Sequence, residues 1–580
     1  MSRPAEAPPS TQAARVLLQA LAALGVGVVV LAPGSRSAPL AHAVAQAARR
    51  DAGRDANAPV LDLHVRIDER SAGFLALGFS RGARSGGGDG LVAVVTTSGT
   101  AVANLHPAVL EAHHSGLPLL LLTADRPHEL RGTGANQTTD QVGLLHPVRL
   151  TLDVPASTGR PGEARDLRHL ASRAVAAALG SRTGDPGPVH VNLAFREPLV
   201  PDGAPWPEAS REGLVEVVPA RPVGERAELG GDAVPTVVVA GDGAGPLARA
   251  IAEANGWPLL AEPSSGARGG PCAVPAYRLL LGEDRLGGAV RRVVVLGRPT
   301  LSRPVQTLLG RPDVDSTVIA LHGQAWPDAT RSATRVLPGV PGDLLDGSQA
   351  GPAGWLTDWQ VAGAAALAAV RAVAGAGSAR LTGPAVADVV AASCGPDAVL
   401  VVGSSNPVRD LDLVAEWSRP PAVLANRGLA GIDGTISTAA GVALALDRPV
   451  VALLGDLTFL HEAGGLLVGP HERRPDLHVV VANDDGGSIF ATLEHGGPEH
   501  EEVFERVFGT PHGADVGALC RGYGVPHALV EDAAGLRAAL ARVPSGLTVT
   551  EVRVDRHDRR GLGTRIAAAV HEAVAAALEG

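Results

Sequence analysis

Short runs of apolar residues alternate with longer segments of helical periodicity along almost the whole chain. The runs are rich in Val and Leu, and most of them end in a turn that contains Gly, Ser, Thr or Asp. Strands that are apolar throughout and separated by helices are typical of parallel sheets covered by helices on both faces. The pattern therefore predicts an α/β fold. The predicted strands are residues 28–31, 61–67, 91–95, 117–123, 189–193, 236–240, 292–296, 317–320, 399–402, 422–424, 450–454, 479–482 and 548–552.

The length of 580 residues corresponds to about three or four domains of ordinary size. Two breaks in composition divide the chain. A Pro-rich segment, FREPLVPDGAPWPEA, lies near residue 200, and a Gly- and Pro-rich loop covers residues 341–354. We therefore predict three domains, 1–200, 201–350 and 351–580, each a mostly parallel sheet flanked by helices and built with right-handed crossovers.

Composition and charge exclude several classes of partner. The formal net charge of −10 leaves no basic surface, so neither nucleic acid nor an anionic membrane is a predicted partner. No apolar run reaches the ~18 residues of a membrane span. The first residues, MSRPAEAPPSTQ, lack the apolar core of a signal peptide, so we expect a cytoplasmic protein. The cysteines fit a reducing compartment, because they are far apart and lack metal-binding spacing: Cys272, Cys394 and Cys520.

The chain contains no lysine, so all 50 of its Lys and Arg residues are arginine. This excludes Schiff-base chemistry with pyridoxal phosphate or an aldolase lysine, and it excludes a Walker-type phosphate lysine. Carbanion chemistry in this protein would therefore need a different electron sink.

The stretch from residue 451 to residue 490 carries the strongest sign of chemistry. Two predicted strands end there in polar residues, the first at Asp456 and the second at Asn483 and Asp484. Asp456 precedes Asn483 by 27 residues (483 − 456) and Asp484 by 28 (484 − 456). Ligands bind at the carboxyl ends of parallel strands, and oxygen ligands beside a glycine turn and a helix start suit Mg²⁺ and a diphosphate.

A simple structural turn is the competing interpretation of such a Gly-Asp sequence. Gly88-Asp89-Gly90 and Gly241-Asp242-Gly243 also lie beside apolar runs, and neither has an oxygen ligand 27 or 28 residues later. We interpret both as turns.

Polar turns also follow the predicted strands of the first third of the chain. Arg36 lies in the turn 33–39 and Glu69 in the turn 68–70, and residues 132–141 are rich in amides. Arg36 could bind a carboxylate or serve only as a solvated cap. Glu69 could act chemically or only favour a helix start, where acidic residues are stabilised by the helix dipole. These residues alone leave both alternatives open.

Two further motifs are interpreted as structural. The pair His113-His114 suggests a metal, but adjacent residues of a helix point apart, so a surface position is favoured. The string Gly78-Phe79-Ser80-Arg81-Gly82 matches the nucleophile pattern of serine hydrolases, but it follows a helical segment and not the strand that the pattern requires.

Taken together, the motifs resemble the thiamine-diphosphate-dependent decarboxylase superfamily. Within it, the chain is similar to the menaquinone-pathway synthases that join 2-oxoglutarate to isochorismate. The resemblance covers nearly the whole chain and implies a pyrimidine-binding domain at 1–200, a central domain at 201–350 and a diphosphate-binding domain at 351–580. The strings that carry it are APGSRSAPL (32–40), DERSAGFLALG (68–78), TSGTAVANLHPAVLEA (97–112), TADRPHELRGTGANQ (123–137), ANRGLAGIDGTISTAAG (425–441), and GDL with DDGGSIF (455–457 and 484–490).

The resemblance implies thiamine diphosphate and Mg²⁺ (or Mn²⁺) as cofactors. Glu69 corresponds to the glutamate that hydrogen-bonds the aminopyrimidine ring, and Asp456 corresponds to the first metal ligand. The second ligand is either Asn483 or Asp484, because counting back from Gly486, whose carbonyl also binds, reaches Asp484 where the family usually has Asn. The implied cofactor-binding residues are Glu69, Ser404, Ser405, Ile432, Gly455, Asp456, Leu457 and Thr458.

The same resemblance implies a substrate pocket rich in arginine, which suits the two dicarboxylate substrates. Arg303 lies where the family often has a lysine, and its guanidinium has a different reach. The implied catalytic residues are Glu69, Arg36, Arg409 and Arg427. The implied substrate-binding residues are Ser35, Arg36, Arg126, Asn136, Gln137, Arg303, Ser405, Arg409, Arg427, Ile489 and Phe490.

The implied reaction is decarboxylation of 2-oxoglutarate and conjugate addition of the resulting succinyl carbanion to isochorismate, which gives a succinylated cyclohexene carboxylate for menaquinone. The resemblance also implies a homodimer or homotetramer with active sites shared between subunits. The alternatives are another thiamine-diphosphate enzyme, such as an acetohydroxyacid synthase or a 2-oxoacid decarboxylase, and a non-catalytic thiamine-binding regulator. The arginines argue against small apolar 2-oxoacids, and Glu69 argues against a regulator.

Overall fold

The structure is a computed structural model that describes residues 7–201, 203–219, 233–323, 325–375 and 381–579. Three parallel sheets follow one another along the chain. Helices form most of the connections between the strands of each sheet.

The first sheet has six parallel strands in the order β2-β1-β3-β4-β6-β5. Its central strands form because continuous Val and Leu runs are buried on both faces. The strands are β1 (Val28–Leu31), β2 (Asp62–Val65), β3 (Val92–Thr96), β4 (Leu119–Asp125), β5 (Leu150–Val154) and β6 (Val189–Ala194). The helices are α1 (Pro9–Ala23), α2 (Ala38–Ala47), α3 (Glu69–Ser85), α4 (Thr100–Asn104), α5 (His106–Ser115) and α6 (Glu163–Ala178).

The second sheet has five parallel strands in the order β11-β10-β9-β7-β8. Its strands are β7 (Thr236–Ala240), β8 (Leu259–Ala261), β9 (Arg292–Leu296), β10 (Asp315–Ile319) and β11 (Arg335–Leu337). The helices that follow the strands are α7 (Pro246–Asn255), α8 (Tyr277–Leu280) and α9 (Arg303–Leu309).

The third sheet again has six parallel strands, in the order β13-β12-β14-β15-β17-β16. The strands are β12 (Val399–Val402), β13 (Ala422–Leu424), β14 (Val450–Gly455), β15 (Leu477–Asn483), β16 (His527–Val530) and β17 (Leu547–Arg553). The helices are α10 (Trp355–Gly375), α11 (Gly383–Ser393), α12 (Asn406–Val414), α13 (Thr435–Leu446), α14 (Asp456–His461), α15 (Glu501–Phe504), α16 (Val516–Gly522), α17 (Ala533–Leu540) and α18 (Arg559–Glu579).

The chain divides into two compact units. The first unit is Met1–Arg221 with Asn426–Arg448 and Glu462–Asp476, so it contains the first sheet and α13. The second unit is Pro222–Ala425 with Pro449–His461 and Leu477–Gly580, so it contains the other two sheets. The three domain ranges remain a prediction. They place α13 in the third domain, whereas α13 groups with the first unit.

Within the first unit, α3 and α13 pack closely because small residues face each other. A Cβ atom on Gly78 of α3 would lie 2.1 Å from the backbone oxygen of Thr438 in α13. Only glycine allows so close an approach of two helix backbones. In the same unit, buried residues of α1, α2, α6 and the first sheet form one apolar core, which includes Leu17, Val44 and Val175.

Within the second unit, one continuous apolar core joins the two sheets. It includes Val293 and Val295 of β9, Leu400 of β12, Trp359 of α10 and Val574 of α18. The long helices α10 and α18 pack along each other and close one side of this core. A smaller apolar cluster around Trp257 includes Val238, Ile251 and Leu259.

The predicted fold class is confirmed, because the chain contains three parallel sheets flanked by helices. Each predicted strand is present. Four strands were not predicted, and all four lie at sheet edges: β5, β8, β11 and β16. The strands β8 and β11 have three residues each, and β5 and β16 are partly exposed. Edge strands need no continuous apolar run, because one side of the strand has no neighbour.

None of the helices within the described ranges is long and apolar enough to cross a membrane.

Candidate active site

Glu69 is the first residue of α3. The helix begins there because the side chain of Asp68 caps it, accepting the backbone N–H of Arg70 at 2.9 Å. The Glu69 carboxyl group is half-buried, and its Oε2 accepts the Nδ2 of Asn104, at the end of α4, at 3.3 Å. A carboxyl group is thus held at a helix start at the edge of the first unit's sheet.

Ser98, Arg126 and Gln137 meet at the carboxyl end of the first sheet. The Nη1 of buried Arg126 contacts the hydroxyl of Ser98. Gln137 donates its Nε2 to the carbonyl of Ser98 at 2.8 Å, and the Ser98 hydroxyl donates to the carbonyl of Gln137 at 3.0 Å. Gln137 has a φ of +57°. Such left-handed conformations of non-glycine residues persist only where the surroundings fix them, and they cluster at functional sites.

Arg36 lies close to Arg126. Burial, and after it the positive charge of Arg36, lower the pKa of the Arg126 guanidinium. Arg36 donates to the carbonyl of Phe195 at 3.0 Å and lies 3.5 Å from the carboxylate of Glu197. Two guanidinium groups that repel each other at the end of a parallel sheet are suited to a carboxylate ligand. The other predicted residues of this region are exposed: Ser35, Asn136 and Gln137.

Arg427 and Ile432 lie in the loop between β13 and α13, which belongs to the first unit. Arg427 is buried and Ile432 is half-buried. The backbone of this loop is held by Glu111, a buried residue of α5 whose carboxylate accepts the N–H groups of Gly428 and Leu429, each at 2.8 Å. Glu111 was not among the predicted residues.

A second buried carboxylate of the first unit, Glu462, was not predicted either. It accepts the backbone N–H of Ser437 at 3.0 Å and contacts the Ser437 hydroxyl, and it accepts the Ser71 hydroxyl at 3.2 Å. Ser71 lies in the first turn of α3 and Ser437 in the first turn of α13. One carboxylate therefore faces the N-termini of both helices. Burial raises the pKa of Glu462 to about 7.

In the second unit, Asp456 lies where β14 ends and α14 begins. Its Oδ1 accepts the backbone N–H of Leu457 at 2.7 Å, and its Oδ2 accepts the backbone N–H of Gly486 at 2.9 Å. The Nε2 of His512 lies 3.1 Å from the same Oδ2. The Asp456 side chain is thereby joined to the loop that follows β15, and burial raises its pKa.

Asn483 and Asp484 differ in what their side chains contact. The Nδ2 of Asn483 donates to Glu551 at 2.7 Å, and its Oδ1 accepts the backbone N–H of Asp485 at 3.0 Å. The carboxylate of Asp484 contacts the hydroxyl of Ser488. Burial, and after it the negative charge of Asp456, raise the pKa of Asp484 to about 7. Asn483 is thus engaged at both ends of its amide, whereas the half-buried carboxylate of Asp484 lies near the buried carboxylate of Asp456.

His512 is a contact of this carboxylate pair that the sequence did not indicate. Its Nδ1 accepts the backbone N–H of Ala514 at 2.9 Å, so the ring proton is on Nε2, which donates to Asp456. Within the described ranges, no group of three His, Cys, Asp or Glu side chains is arranged to hold a metal. A cation bound here would therefore take two carboxylates and complete its shell with backbone, water or ligand oxygens.

Ser404 and Ser405 precede α12 at the carboxyl end of β12. Ser405 has a φ of +78°, which is strained for a residue with a side chain. Its carbonyl accepts the Nη1 of half-buried Arg409 at 2.8 Å. The Nδ2 of Asn406 donates to the Ser488 hydroxyl at 2.6 Å, which joins this turn to the loop of Asp484. Thr458, in α14, is buried beside Gly403.

Ile489 and Phe490 follow that loop in a 3-10 helix, Ser488–Thr492, and the ring of Phe490 packs against Phe508 at 5.7 Å between centroids. Arg303 lies at the surface, with 74% of its side chain exposed, and pairs with Glu494 at 2.8 Å. An exposed ion pair therefore joins Arg303 to Glu494, which follows the 3-10 helix that contains Phe490.

The predicted residues thus fall into two groups. One group lies in the first unit, where Arg36 and Arg126 are close to each other and where Glu69, Arg427 and Ile432 also lie. The structure brings the other together in the second unit, at the carboxyl ends of β12, β14 and β15. The unpredicted contacts of Glu111, Glu462 and His512 join residues far apart in the chain, and no local motif indicates them.

Two family models match parts of the chain. Residues 11–144 match the family described as "Thiamine pyrophosphate enzyme, N-terminal TPP binding domain", and residues 407–552 match "Thiamine pyrophosphate enzyme, C-terminal TPP binding domain". Glu69 lies in the first matched region, and Asp456 in the second.

Solved structures of two decarboxylases share the fold. A thiamine diphosphate-dependent 4-hydroxybenzoylformate decarboxylase from Rhodococcus jostii has a TM-score of 0.67 at 18% identity, over 94% of this chain and 99% of that one. A benzoylformate decarboxylase from Polynucleobacter necessarius has a TM-score of 0.66 at 17% identity, over 94% of this chain and 99% of that one.

Curated relatives match over almost the whole chain. A protein from Kineococcus radiotolerans is 52% identical over 98% of this chain and 100% of its own length. A protein from a Nocardioides species is 47% identical over 98% and 99%, and one from Mycobacterium avium is 45% identical over 97% and 100%. All three carry the same name, and the chain therefore belongs to the thiamine pyrophosphate enzymes and, among them, to the family of 2-succinyl-5-enolpyruvyl-6-hydroxy-3-cyclohexene-1-carboxylate synthases.

Proposed function

We propose that this chain decarboxylates 2-oxoglutarate and joins the remaining four-carbon fragment to isochorismate, which gives 2-succinyl-5-enolpyruvyl-6-hydroxy-3-cyclohexene-1-carboxylate for menaquinone biosynthesis. The observation that carries the substrate class is the approach of Arg36 to buried Arg126 at the carboxyl end of the first sheet. Both substrates are dicarboxylates, and paired guanidinium groups are preferred partners of carboxylates.

The residues present fit thiamine diphosphate. When bound, this cofactor supplies the electron sink that the loss of CO₂ from a 2-oxo acid requires. In our proposal, Glu69 would hold the proton that faces the aminopyrimidine ring, and Ile432 would support the cofactor by apolar contact. Ser404 and Ser405, at the start of the nine-residue helix α12, hold the diphosphate with Gly455, Leu457 and Thr458.

The donor set at Asp456 fits Mg²⁺ or Mn²⁺, which prefer oxygen ligands. We assign Asp456 and Asp484 as its carboxylate ligands, with the carbonyl of Gly486. The contacts of Asn483 with Glu551 and Asp485 support a structural role for that amide. A divalent cation would also neutralise these two carboxylates, whose mutual repulsion otherwise disfavours ionisation.

The remaining arginines would orient the substrates and exclude water. Arg427 is buried, so a carboxylate bound to it would be shielded from solvent, where a charge-assisted hydrogen bond is stronger. Arg409 is fixed against the strained turn at Ser405 by its bond to that carbonyl. Ile489 and Phe490 would line the apolar side of the pocket, and Arg303 would act at its rim.

We also propose a homodimer or homotetramer with shared active sites. Two apolar side chains of the first unit support an interface: Ile67, next but one to Glu69, is 79% exposed, and Leu429, next but one to Arg427, is 54% exposed. Large apolar residues exposed beside a site are typical of surfaces that a partner covers. A cytoplasmic location is supported by three cysteines that are all free and buried.

The test is an assay of the purified protein with 2-oxoglutarate and isochorismate, with and without thiamine diphosphate and Mg²⁺, with multi-angle light scattering for the assembly. The proposal expects CO₂ release and the joined product only when both cofactors are present. Preference for pyruvate would instead favour an acetohydroxyacid synthase or decarboxylase activity. Binding of thiamine diphosphate with no CO₂ release would favour a regulator.

A further inference from the structure

Glu111 is a buried carboxylate with four hydrogen-bond donors around it. Its Oε1 accepts the backbone N–H of Gly428 at 2.8 Å, the hydroxyl of Ser115 at 2.7 Å and the Nη2 of Arg81 at 3.2 Å. Its Oε2 accepts the backbone N–H of Leu429 at 2.8 Å. All of these residues lie in the first unit. Four donors satisfy the carboxylate, and Arg81 balances its charge, so burial of the anion is sustainable.

Two consecutive backbone N–H groups on one carboxylate fix the orientation of the peptide planes between them. The fit is close: a Cβ atom on Gly428 would lie 2.7 Å from the carbonyl oxygen and 2.9 Å from the carboxyl carbon of Glu111. Gly428 must therefore be glycine for the loop to reach the carboxylate. The contact joins α5 to a loop more than 300 residues later in the chain.

The loop that Glu111 holds is the one that carries Arg427. Arg427 immediately precedes Gly428, and its side chain is buried. The same loop contains Ala430 at a φ of +59°, a left-handed conformation that a side chain disfavours. A backbone in such a conformation needs support from outside the loop, and the two N–H bonds of Glu111 provide it.

We propose that Glu111 is a positioning residue, which holds the peptide planes of Gly428 and Leu429 so that the Arg427 guanidinium stays directed at a substrate carboxylate. The inference rests on the proposed function, in which Arg427 binds substrate. Glu111 itself contacts neither substrate nor cofactor in this account; it acts through the backbone.

The charge and both oxygens of Glu111 are needed for this role. A glutamine at this position has the same shape, but it offers only one acceptor oxygen. Its NH₂ group would face a backbone N–H or Arg81, so at least one buried donor would lose its acceptor. The loop should then sample other conformations, and Arg427 should lose its fixed direction.

The experiment compares Glu111→Gln with Ser115→Ala, which removes a contact to the same carboxylate but leaves both loop bonds in place. The first readout is amide hydrogen exchange of peptides covering residues 426–434. The second is the KM of each substrate, the kcat and the Kd of thiamine diphosphate, with Arg427→Ala as the reference. We expect Glu111→Gln to accelerate amide exchange in this loop by roughly tenfold or more.

The kinetic effect should be specific to one substrate. We expect Glu111→Gln to raise the KM of the substrate that Arg427→Ala affects by roughly tenfold, while kcat and the Kd of thiamine diphosphate stay within about threefold of wild type.

Ser115→Ala should leave exchange and KM within about twofold of wild type. If Glu111→Gln does not fold because Arg81 is left unpaired, the double variant Glu111→Gln/Arg81→Gln removes both charges and should give the same exchange and KM changes. Unchanged exchange in the loop overturns the proposal, and so does accelerated exchange without the KM change. If the wild-type protein does not turn over these substrates, the proposed function fails, while the exchange data still decide whether Glu111 holds the loop.

Discussion

The backbone N–H of Gly486 donates to the carboxylate of Asp456 at 2.9 Å. This bond joins the loop after β15 to the first residue of α14, so the ends of the neighbouring strands β14 and β15 form one connected rim. Asp484 lies in the same loop. Burial is the main cause that raises the pKa of its carboxylate, and the nearby negative charge of Asp456 raises it further. The rim thus holds two acidic groups at a position where a divalent cation would stabilise both.

The contacts of Asn483 and Asp484 predict that removing the Asp484 side chain weakens the use of Mg²⁺, whereas removing the Asn483 side chain lowers stability. Asp484→Ala should raise the Mg²⁺ concentration for half-maximal activity by roughly tenfold or more, because a carboxylate ligand is lost. Asn483→Ala should leave that concentration within about threefold but lower the free energy of unfolding by about 1–3 kcal/mol, because Glu551 loses a buried partner. Mg²⁺ titrations of activity and urea unfolding measure both. The reverse pattern would assign the metal to Asn483.

The arginines predicted to bind substrate differ in burial, and this predicts different effects. Arg126→Ala should raise the KM of a dicarboxylate substrate by roughly ten- to hundredfold, because a buried cation facing Arg36 is removed. Arg303→Ala should change KM by less than about threefold, because its side chain is exposed and paired with Glu494. Steady-state kinetics at varied 2-oxoglutarate and isochorismate concentrations compare the two. A large effect of Arg303→Ala alone would contradict the assignment.

Glu462 predicts a dependence of stability on pH. Burial raises its pKa from the ordinary 4.5 to about 7, so the folded state keeps the proton that the unfolded state releases between these values. Its contribution to stability is therefore complete below pH 4.5 and is lost as pH rises to about 7. Relative to Glu462→Gln, the free energy of unfolding of the wild type should fall by about 3 kcal/mol over this interval.

Urea unfolding at pH 5 and pH 7.5, followed by far-UV circular dichroism, measures the difference in the free energy of unfolding between wild type and Glu462→Gln. A difference that does not change with pH would show that Glu462 is already ionised in the folded protein, stabilised by its serine and backbone donors.

The close packing of α3 and α13 predicts a strong effect of one added methyl group. In Gly78→Ala the Cβ would lie 2.1 Å from the carbonyl oxygen of Thr438, so the helices must separate, at a cost of about 1–3 kcal/mol or more. The control is Gly563→Ala in α18, which is exposed and has open space around it. That variant should be stabilised by about 0.5–1 kcal/mol, because alanine favours helix. Thermal unfolding compares the two, and equal midpoints would contradict the packing.

The sequence predicted the interior strands of each sheet and the edge strands β2 and β13, and it missed the other edge strands. Runs such as 92–96 and 119–122 are buried on both faces and are therefore mostly apolar throughout. Such a continuous apolar run can be recognised in the sequence of the strand itself. The edge strand His527–Val530 is partly exposed and short, and nothing in its composition separates it from a loop. Local patterns therefore identified the strands that contain a clear apolar run but not the short or exposed strands at the remaining edges.

For the site, the sequence identified residues at turns but not the contacts that hold them. Asp456 and Glu69 follow recognisable motifs, whereas the bonds from Glu111 to Gly428 and from His512 to Asp456 join distant segments. Such pairings depend on how the elements pack, and a single sequence does not encode them as a local pattern. The proposal of Asp484 rather than Asn483 as a metal ligand likewise rests on the contact of Asn483 with Glu551, which no local pattern indicates.

The most direct test of the proposed chemistry is mass spectrometry of the product formed from 2-oxoglutarate and isochorismate by wild type and by Glu69→Gln, with and without thiamine diphosphate. Asn104→Ala is a matched control, because it removes the hydrogen-bond partner of Glu69 but keeps the carboxylate. We predict a joined product that requires thiamine diphosphate, and a rate roughly 10²–10⁴-fold lower in Glu69→Gln, as is typical when a proton-transferring group is lost. A product formed equally well without the cofactor, or a wild-type rate in Glu69→Gln, would contradict the proposal.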